Sequence, residues 1–376
     1  MLTHGLGCCR TPSGDIPEHW PSRTSVYGGL GPTRCLCDIA RVGADYPKVE
    51  LHVHLESTMR PELLLQLAQR NDCPLPASTL AGLARFCVAT SFGDLGRIWL
   101  EVTKVLRHEQ DFGDVLLSYA REATRQGAVY VEAIFNPIIH KRRGVDMDAV
   151  FSGYCDGAQK AREEYGLEVR LTPDADLWFS AAEAEELARY AVAYRERGVV
   201  GFGVSGADYR DSPAPFVRAS QIARDGGLAF TPHAGEFGGA DLVRFAVEQL
   251  HASRIRHGLG AIEDPGLLKE IAEAGIGLDI CPISNVRLGA IPTLAEHPLP
   301  VFISAGIRCS ISSDDPAFLD TDLTRNCDAA SSLGVSPRTL FEAGVAGALC
   351  DDATRARVAE IGAAFDWSRI EPSAWT

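Results

Sequence analysis

Two histidines one residue apart, in His52-Val53-His54, close an apolar-flanked run, Lys48-Val49-Glu50-Leu51, that reads as a β-strand. Side chains alternate along a strand, so residues i and i+2 leave from the same face. Two imidazoles on one face, about 7 Å apart at the usual rise per residue, can share one metal ion. Such a pair arises by chance, but further candidates stand at the ends of other apolar runs: His233, Glu236, His257, Asp314 and Asp315. Any one of these histidines, taken singly, is more simply a hydrogen-bonded core or surface residue. Sorted as a set onto strand ends, they read as a metal centre.

Neutral imidazoles with one carboxylate suit zinc, and a catalytic zinc keeps one position open for water. The ion would bring the pKa of that water towards ~7 and supply hydroxide at neutral pH. A two-metal hydrolase barrel usually needs a bridging lysine after its fourth strand. The segment there, Ser205-Gly206-Ala207-Asp208, has none, and no lysine occurs between Lys160 and Lys269. The expectation is one Zn2+ per chain.

Positioning such a set requires many parallel strands. Strand candidates are Lys48–His54, Val129–Phe135, Glu168–Thr172, Val199–Val204, Ala229–His233, Arg254–His257, Gly277–Ile280 and Arg308–Ser312. Helical patterns follow at Met147–Tyr165, Ala181–Arg197, Pro215–Asp225, Ala240–His251 and Pro265–Ala274. Alternation of this kind implies parallel βα units. Eight of them in roughly 310 residues predict an α/β protein, a (β/α)8 TIM barrel whose active site lies at the C-terminal ends of the strands. The excess length lies after the first strand, where Arg60–Asn71, Phe92–His108 and Phe112–Gln126 read as inserted helices over the mouth. Phe92, Leu95, Ile98 and Trp99 share one face of the second of these. That spacing marks a buried helix face, part of which can also cover a substrate.

Residues 1–45, rich in Gly, Pro, Arg, Cys and Ser, lack sustained periodicity and read as a loosely packed or disordered extension. Residues 46–376 form the barrel domain. The chain carries 36 basic and 50 acidic residues, a net charge of −14, so its overall field does not favour nucleic acid. No apolar run approaches the ~20 residues of a membrane span, and the N-terminus lacks a secretory plan. Eleven scattered cysteines fit a reduced cytoplasm better than a disulfide framework.

The segments KVELHVHLE, FTPHAGE, RIRHGL, CPISN and SSDDPAF, in this order, resemble those of the adenosine/adenine deaminase family of the amidohydrolase superfamily. The resemblance implies a TIM barrel, one zinc, and hydrolytic loss of a purine 6-amino group as ammonia. By it, His52, His54, His233 and Asp314 would ligate the metal. His257 would orient the attacking water and take its proton. Glu236 would protonate the purine N1, Asp315 would share a proton at N7, and the Gly206 N–H would reach N3. Adding hydroxide to an aromatic C6 is hard unless the ring nitrogen gains a proton, so Glu236 must be a carboxylic acid when substrate is bound. The cytidine-type zinc deaminases need HxE followed by PCxxC, which this chain lacks.

The chain also departs from the family. Where adenosine deaminases read HLDG, it reads His54-Leu55-Glu56-Ser57, so Glu56 occupies the place of the Asp that meets the ribose 5′ hydroxyl and reaches one methylene further. Ser57 replaces a Gly, Ala207-Asp208 replaces an acidic pair, and Phe135-Asn136-Pro137 lacks an Arg common in the animal enzymes. The expected activity is zinc-dependent deamination of adenosine or a related 6-aminopurine nucleoside. Adenine, or a 5′-modified nucleoside such as aminodeoxyfutalosine, is the alternative. A barrel that binds nucleosides without turnover, or one that hydrolyses another C–N bond, is a more distant one.

Overall fold

The computed structural model describes residues 46–206 and 214–370; the expected extension over 1–45 and the Ala207-Asp208 pair lie outside them. The strands are β1 (Lys48–His54), β2 (Ala128–Phe135), β3 (Glu168–Asp176), β4 (Gly201–Ser205), β5 (Ala229–Phe230), β6 (His233–Ala234), β7 (Arg254–His257), β8 (Gly277–Ile280) and β9 (Cys309–Ile311). All pairings between them are parallel, in the orders β1-β2-β3-β4-β5 and β6-β7-β8-β9.

β5 and β6 are two halves of one stave, split at Thr231-Pro232. Proline has no N–H to give a neighbouring strand. The stave still holds on both sides: Thr231 N–H donates to Phe202 O at 2.9 Å, and Pro232 O accepts from Arg256 N–H at 2.9 Å. The ring closes where Val53 bridges Asp314, with His54 N–H on Asp314 O at 2.9 Å and Asp314 N–H on His52 O at 3.1 Å. The result is the expected eight-stave (β/α)8 barrel.

Parallel strands are covered on both faces. In β1, Val49 and Leu51 pack against Gly344 and Gly347 of the helix Pro337–Gly347, while His52 and His54 take the alternate positions. The barrel interior carries charge. Arg254 and Arg256, two residues apart on β7, are 2% and 0% exposed. Arg254 spans to Glu132 on β2 and Asp279 on β8, each at 2.7 Å. Arg256 meets both oxygens of Asp174 on β3 at 2.6 Å. Pairs this deeply buried add little net stability, but breaking one strands a charge.

Between β1 and β2 lie α1 (Pro61–Arg70), α2 (Leu80–Phe86), α3 (Phe92–Val102) and α4 (Glu109–Arg125). α3 is the one that reaches the mouth. Ser91 caps it by accepting from Asp94 N–H. The sequence pattern missed α2, and also the C-terminal helix Asp352–Ala364, whose stretch DATRARVAEIGAA buries only Thr354, Val358 and Gly362. With so few large apolar residues, there is no period to read. Among the described residues, no helix is long and apolar enough to cross a membrane.

Candidate metal centre and active site

The pleat of β1 turns His52 and His54 to the same side. Nε2 of His233, at the start of β6, lies 3.1 Å from His52 Nε2 and 3.3 Å from His54 Nε2. Asp314, held to β1 by the closing bridge, places Oδ1 3.1 Å from His52 Nε2 and 3.5 Å from His54 Nε2. Ligands held tetrahedrally at zinc–nitrogen distances stand ~3.3 Å apart, so these spacings fit one coordination shell. His52, His233, His257 and Asp314 each present a ligand atom within 4.8 Å of the others, and His54, Asp314 and Asp315 form a second such group.

The protonation states fit a metal. Burial holds His52 well below the usual imidazole range, His54 at about 4 and His257 at about 3, against the opposing pull of Asp314. Neutral rings are what ligation requires. Burial pushes Asp314 up, but His52 and its neighbours outweigh it, so the group stays well below the ordinary range as a carboxylate. Burial, then the Asp314 charge, pushes Asp315 well above that range, while a hydrogen bond with Ser57 pulls the other way. Two adjacent carboxyls thus take opposite states.

Neighbouring groups decide which nitrogen carries each proton. His233 Nδ1 faces Val204 O at 3.0 Å. A carbonyl only accepts, so Nδ1 bears the hydrogen and the Nε2 lone pair points at the centre. His257 has the opposite arrangement, set through a relay. Leu299 N–H donates to His297 Nδ1 at 3.1 Å, so His297 Nε2 carries the hydrogen and donates to Asn285 Oδ1 at 3.2 Å. That leaves Asn285 Nδ2 as the donor to His257 Nδ1 at 3.0 Å. The proton of neutral His257 therefore sits on Nε2, 3.6 Å from Glu236 Oε2 and 3.8 Å from Asp314 Oδ2. His257 faces the centre as a hydrogen-bond donor.

His257 and Asp314 also have left-handed backbones, with φ of 62° and 64°. For non-glycine residues this conformation costs about 1–3 kcal/mol each, and it persists only where the surroundings impose it. Both side chains are turned towards the centre at that cost.

Beneath His233 lies a support that the sequence reading did not single out. Asp174 Oδ2 is 3.4 Å from His233 Nδ1 and also pairs with Arg256. Burial pushes the Asp174 carboxyl up, and Arg256 with His233 more than offsets it. Gly203 on β4 makes the room: a Cβ there would overlap Asp174 Oδ1 and stand 2.6 Å from Arg256 Nη1. Gly203→Ala is expected to split this pair and lower unfolding free energy by about 3 kcal/mol or more. Urea denaturation of zinc-free protein measures it; a loss under about 0.5 kcal/mol, the range of ordinary surface substitutions, would refute the packing argument.

Above these residues a cleft opens partly to solvent. Phe92, Leu95, Gly96 and Trp99 of α3 and Leu288 form its apolar wall, and Asn136, Asp176, Ser205 and Gly206 its polar wall. His54, His233, Glu236, His257, Asp314 and Asp315 complete the lining, with His52 wholly buried beneath. Ile98 turns into the core, 0% exposed. Glu56 is set apart from the other predicted site residues. It does not line the cleft; Oε1 accepts Asn136 N–H at 2.9 Å and lies 3.5 Å from His140 Nε2. Ser57 is likewise buried, its hydroxyl donating to His54 O at 2.8 Å.

Residues 47–361 match the family model described as adenosine deaminase. The chain belongs to the adenosine deaminase family. It is an aminohydrolase of that family, and several relatives extend the likeness over most of its length. It is 47% identical over 328 residues, 85% of this chain and 92% of the relative, to an aminodeoxyfutalosine deaminase of Acidothermus cellulolyticus. It is 37% identical over 316 residues, 82% of this chain and 96% of the relative, to an adenine deaminase of Rhizobium leguminosarum bv. trifolii. The crystal structure of an adenine deaminase from Arthrobacter aurescens superposes with a TM-score of 0.79 at 30% identity, covering 84% of this chain and 98% of that one.

Proposed function

We propose that this member of the family is a zinc enzyme that deaminates a 5′-extended 6-aminopurine nucleoside of the aminodeoxyfutalosine type, giving the 6-oxopurine and ammonia. The 47% identity to an aminodeoxyfutalosine deaminase across 85% of the chain carries this choice of substrate. It favours the alternative expected from the sequence over adenosine itself. The cleft sets an apolar wall from Phe92, Leu95 and Trp99 against polar groups at the strand ends, the mixed lining that small-molecule sites use. Adenine is the second reading, favoured by the adenine deaminases at 36–37% identity.

In this reading His52, His54, His233 and Asp314 hold the zinc. A bound zinc supplies the Lewis acidity that makes water nucleophilic at neutral pH. His257, fixed as an Nε2–H donor, orients the attacking water. That differs from the proton-accepting role implied by the resemblance, because the Asn285 amide already occupies the Nδ1 lone pair. Glu236 delivers a proton to N1 and makes C6 electrophilic; left as a carboxylate, it takes the proton of the attacking water and passes it to the amino group that departs as ammonia, and the C6 hydroxyl proton restores the acid as the 6-oxo group forms. Asp315, kept as an acid by burial and by Asp314, donates to the N7 lone pair. The Gly206 N–H meets N3, and the α3 side chains exclude bulk water.

Ammonia release by zinc-loaded protein tests the reading. The panel is adenosine, 2′-deoxyadenosine, adenine, aminodeoxyfutalosine and AMP at matched concentrations. The highest kcat/KM is expected for aminodeoxyfutalosine. Preference for adenine would move the substrate to the second reading, and silence across the panel with zinc bound would point to a binder without turnover.

A further inference from the structure

The expected sugar contact, Glu56, is tied to the Asn136 backbone and lies outside the cleft lining. Another part of the mouth must then meet whatever N9 carries. Ring geometry narrows the choice. With C6 at the metal ligands, N1 at Glu236 and N7 at Asp315, N9 lies on the far side of the bicycle. N1 is claimed just after β6 and N7 just after β9. The N9 substituent then projects over the ends of β1 to β4.

On that arc the side chains are polar. Asn136 directly follows β2, Asp176 ends β3, and Ser205 is the register partner of Asp176 at the end of β4. Asn136 and Asp176 are each 6% exposed and line the cleft. Asn136 Nδ2 reaches Ser205 Oγ at 3.4 Å, while Asn136 Oδ1 is buried with no hydrogen-bond partner. An amide oxygen in that state calls for a donor. Asp176 is steadied by Trp178 N–H on Oδ1 at 3.0 Å. Its Oδ1 would stand 2.8 Å from a Cβ at position 206, so glycine there lets the carboxylate sit beside the N3 edge.

We propose that Asn136 and Asp176 form the sugar-reading edge of the cleft and accept hydrogen bonds from the ribose hydroxyls of the nucleoside. Hydroxyls donate, while a carboxylate and an amide oxygen accept, so the chemistry is complementary. Free adenine has no hydroxyl to offer and leaves Asn136 Oδ1 without a donor. Glu56 then serves the sugar indirectly, by fixing the backbone of Asn136. The proposal rests on the purine reading of the same cleft.

The test compares kcat/KM for adenosine, 2′,3′-dideoxyadenosine and adenine in zinc-loaded wild type, Asp176→Asn and Asn136→Ala. Zinc content and circular dichroism establish that each variant is folded. A hydrogen bond to a charged group corresponds to roughly a 10- to 100-fold preference, so wild type should favour the ribonucleoside over the dideoxy compound by at least about 10-fold. In Asp176→Asn that ratio should fall about 10-fold, mostly through KM, and Asn136→Ala should lower it in the same direction. A ratio near one in wild type, or equal losses on all three substrates in both variants, overturns the sugar edge while nucleoside deamination stands. Turnover of adenine alone overturns the nucleoside reading first, and the sugar edge with it. Should one variant not fold, the other decides by the same ratio.

Discussion

Glu236→Gln is expected to keep a full zinc complement and lose roughly 10²- to 10⁴-fold in kcat, the usual size of a general acid–base contribution. The side chain lies three residues beyond His233 and lines the cleft, 9% exposed. Its Oε2 is 3.6 Å from the protonated Nε2 of His257. None of the short contacts among His52, His54, His233 and Asp314 involves it. Glutamine preserves the shape and the hydrogen-bonding oxygen but cannot deliver a proton to N1. Chemistry should therefore fail while metal and product binding survive. The measurement pairs kcat with zinc content and binding of the 6-oxopurine product. Near-wild-type kcat would remove Glu236 from the proton path. Loss of zinc would instead place it among the supports of the centre.

Much of the site was legible because its residues obey one rule: polar side chains at strand ends face the barrel mouth. His54, His233, His257 and Asp314 follow that rule, and the structure brings them together with Asp315, Glu236 and Gly206 around one cleft. The same rule would have found Asp174 and Asp176. They were hidden because Pro173 reads as the end of a strand, whereas β3 runs on to Asp176. One proline removes a single ladder donor; here the ladder continues, with Asp174, Ala175 and Asp176 paired to Gly203, Val204 and Ser205. The stave that does break is at Pro232, where the sequence suggested an unbroken strand.

Other features could not be read in advance. Glu56 follows the metal pair in sequence just as the family's sugar-binding Asp does, yet the 3-10 turn Leu55–Thr58 carries it to Asn136 and His140. Sequence gave the position of that carboxylate but not the direction in which the turn points it. The relay from Leu299 through His297 and Asn285 to His257 depends on hydrogen bonds between segments with no common period. Arg256 precedes His257 in an apparently simple strand, and only the closed barrel shows that its partner is Asp174 on the far side. Composition marks such an arginine as a surface residue.

Asp314→Ala separates metal holding from proton delivery, and it should differ from Glu236→Gln in kind. Its Oδ1 lies within 3.5 Å of Nε2 on both β1 histidines, and its Oδ2 accepts Ser284 Oγ–H at 2.6 Å. Removing it leaves three neutral imidazoles and no compensating negative charge for a dication. Zinc content after exhaustive dialysis should fall well below one per chain, and activity should fall with it. Excess zinc in the assay should return part of the activity, which no zinc concentration can do for Glu236→Gln. The strained backbone of residue 314 is a second consideration, since alanine at φ 64° keeps the conformational cost and loses the side chain that justified it. The melting temperature of the zinc-free variant should therefore drop below that of zinc-free wild type. A variant that stays fully metallated and active would show that the three histidines suffice, and Asp314 would then be assigned to orienting the attacking water through its contact with His257.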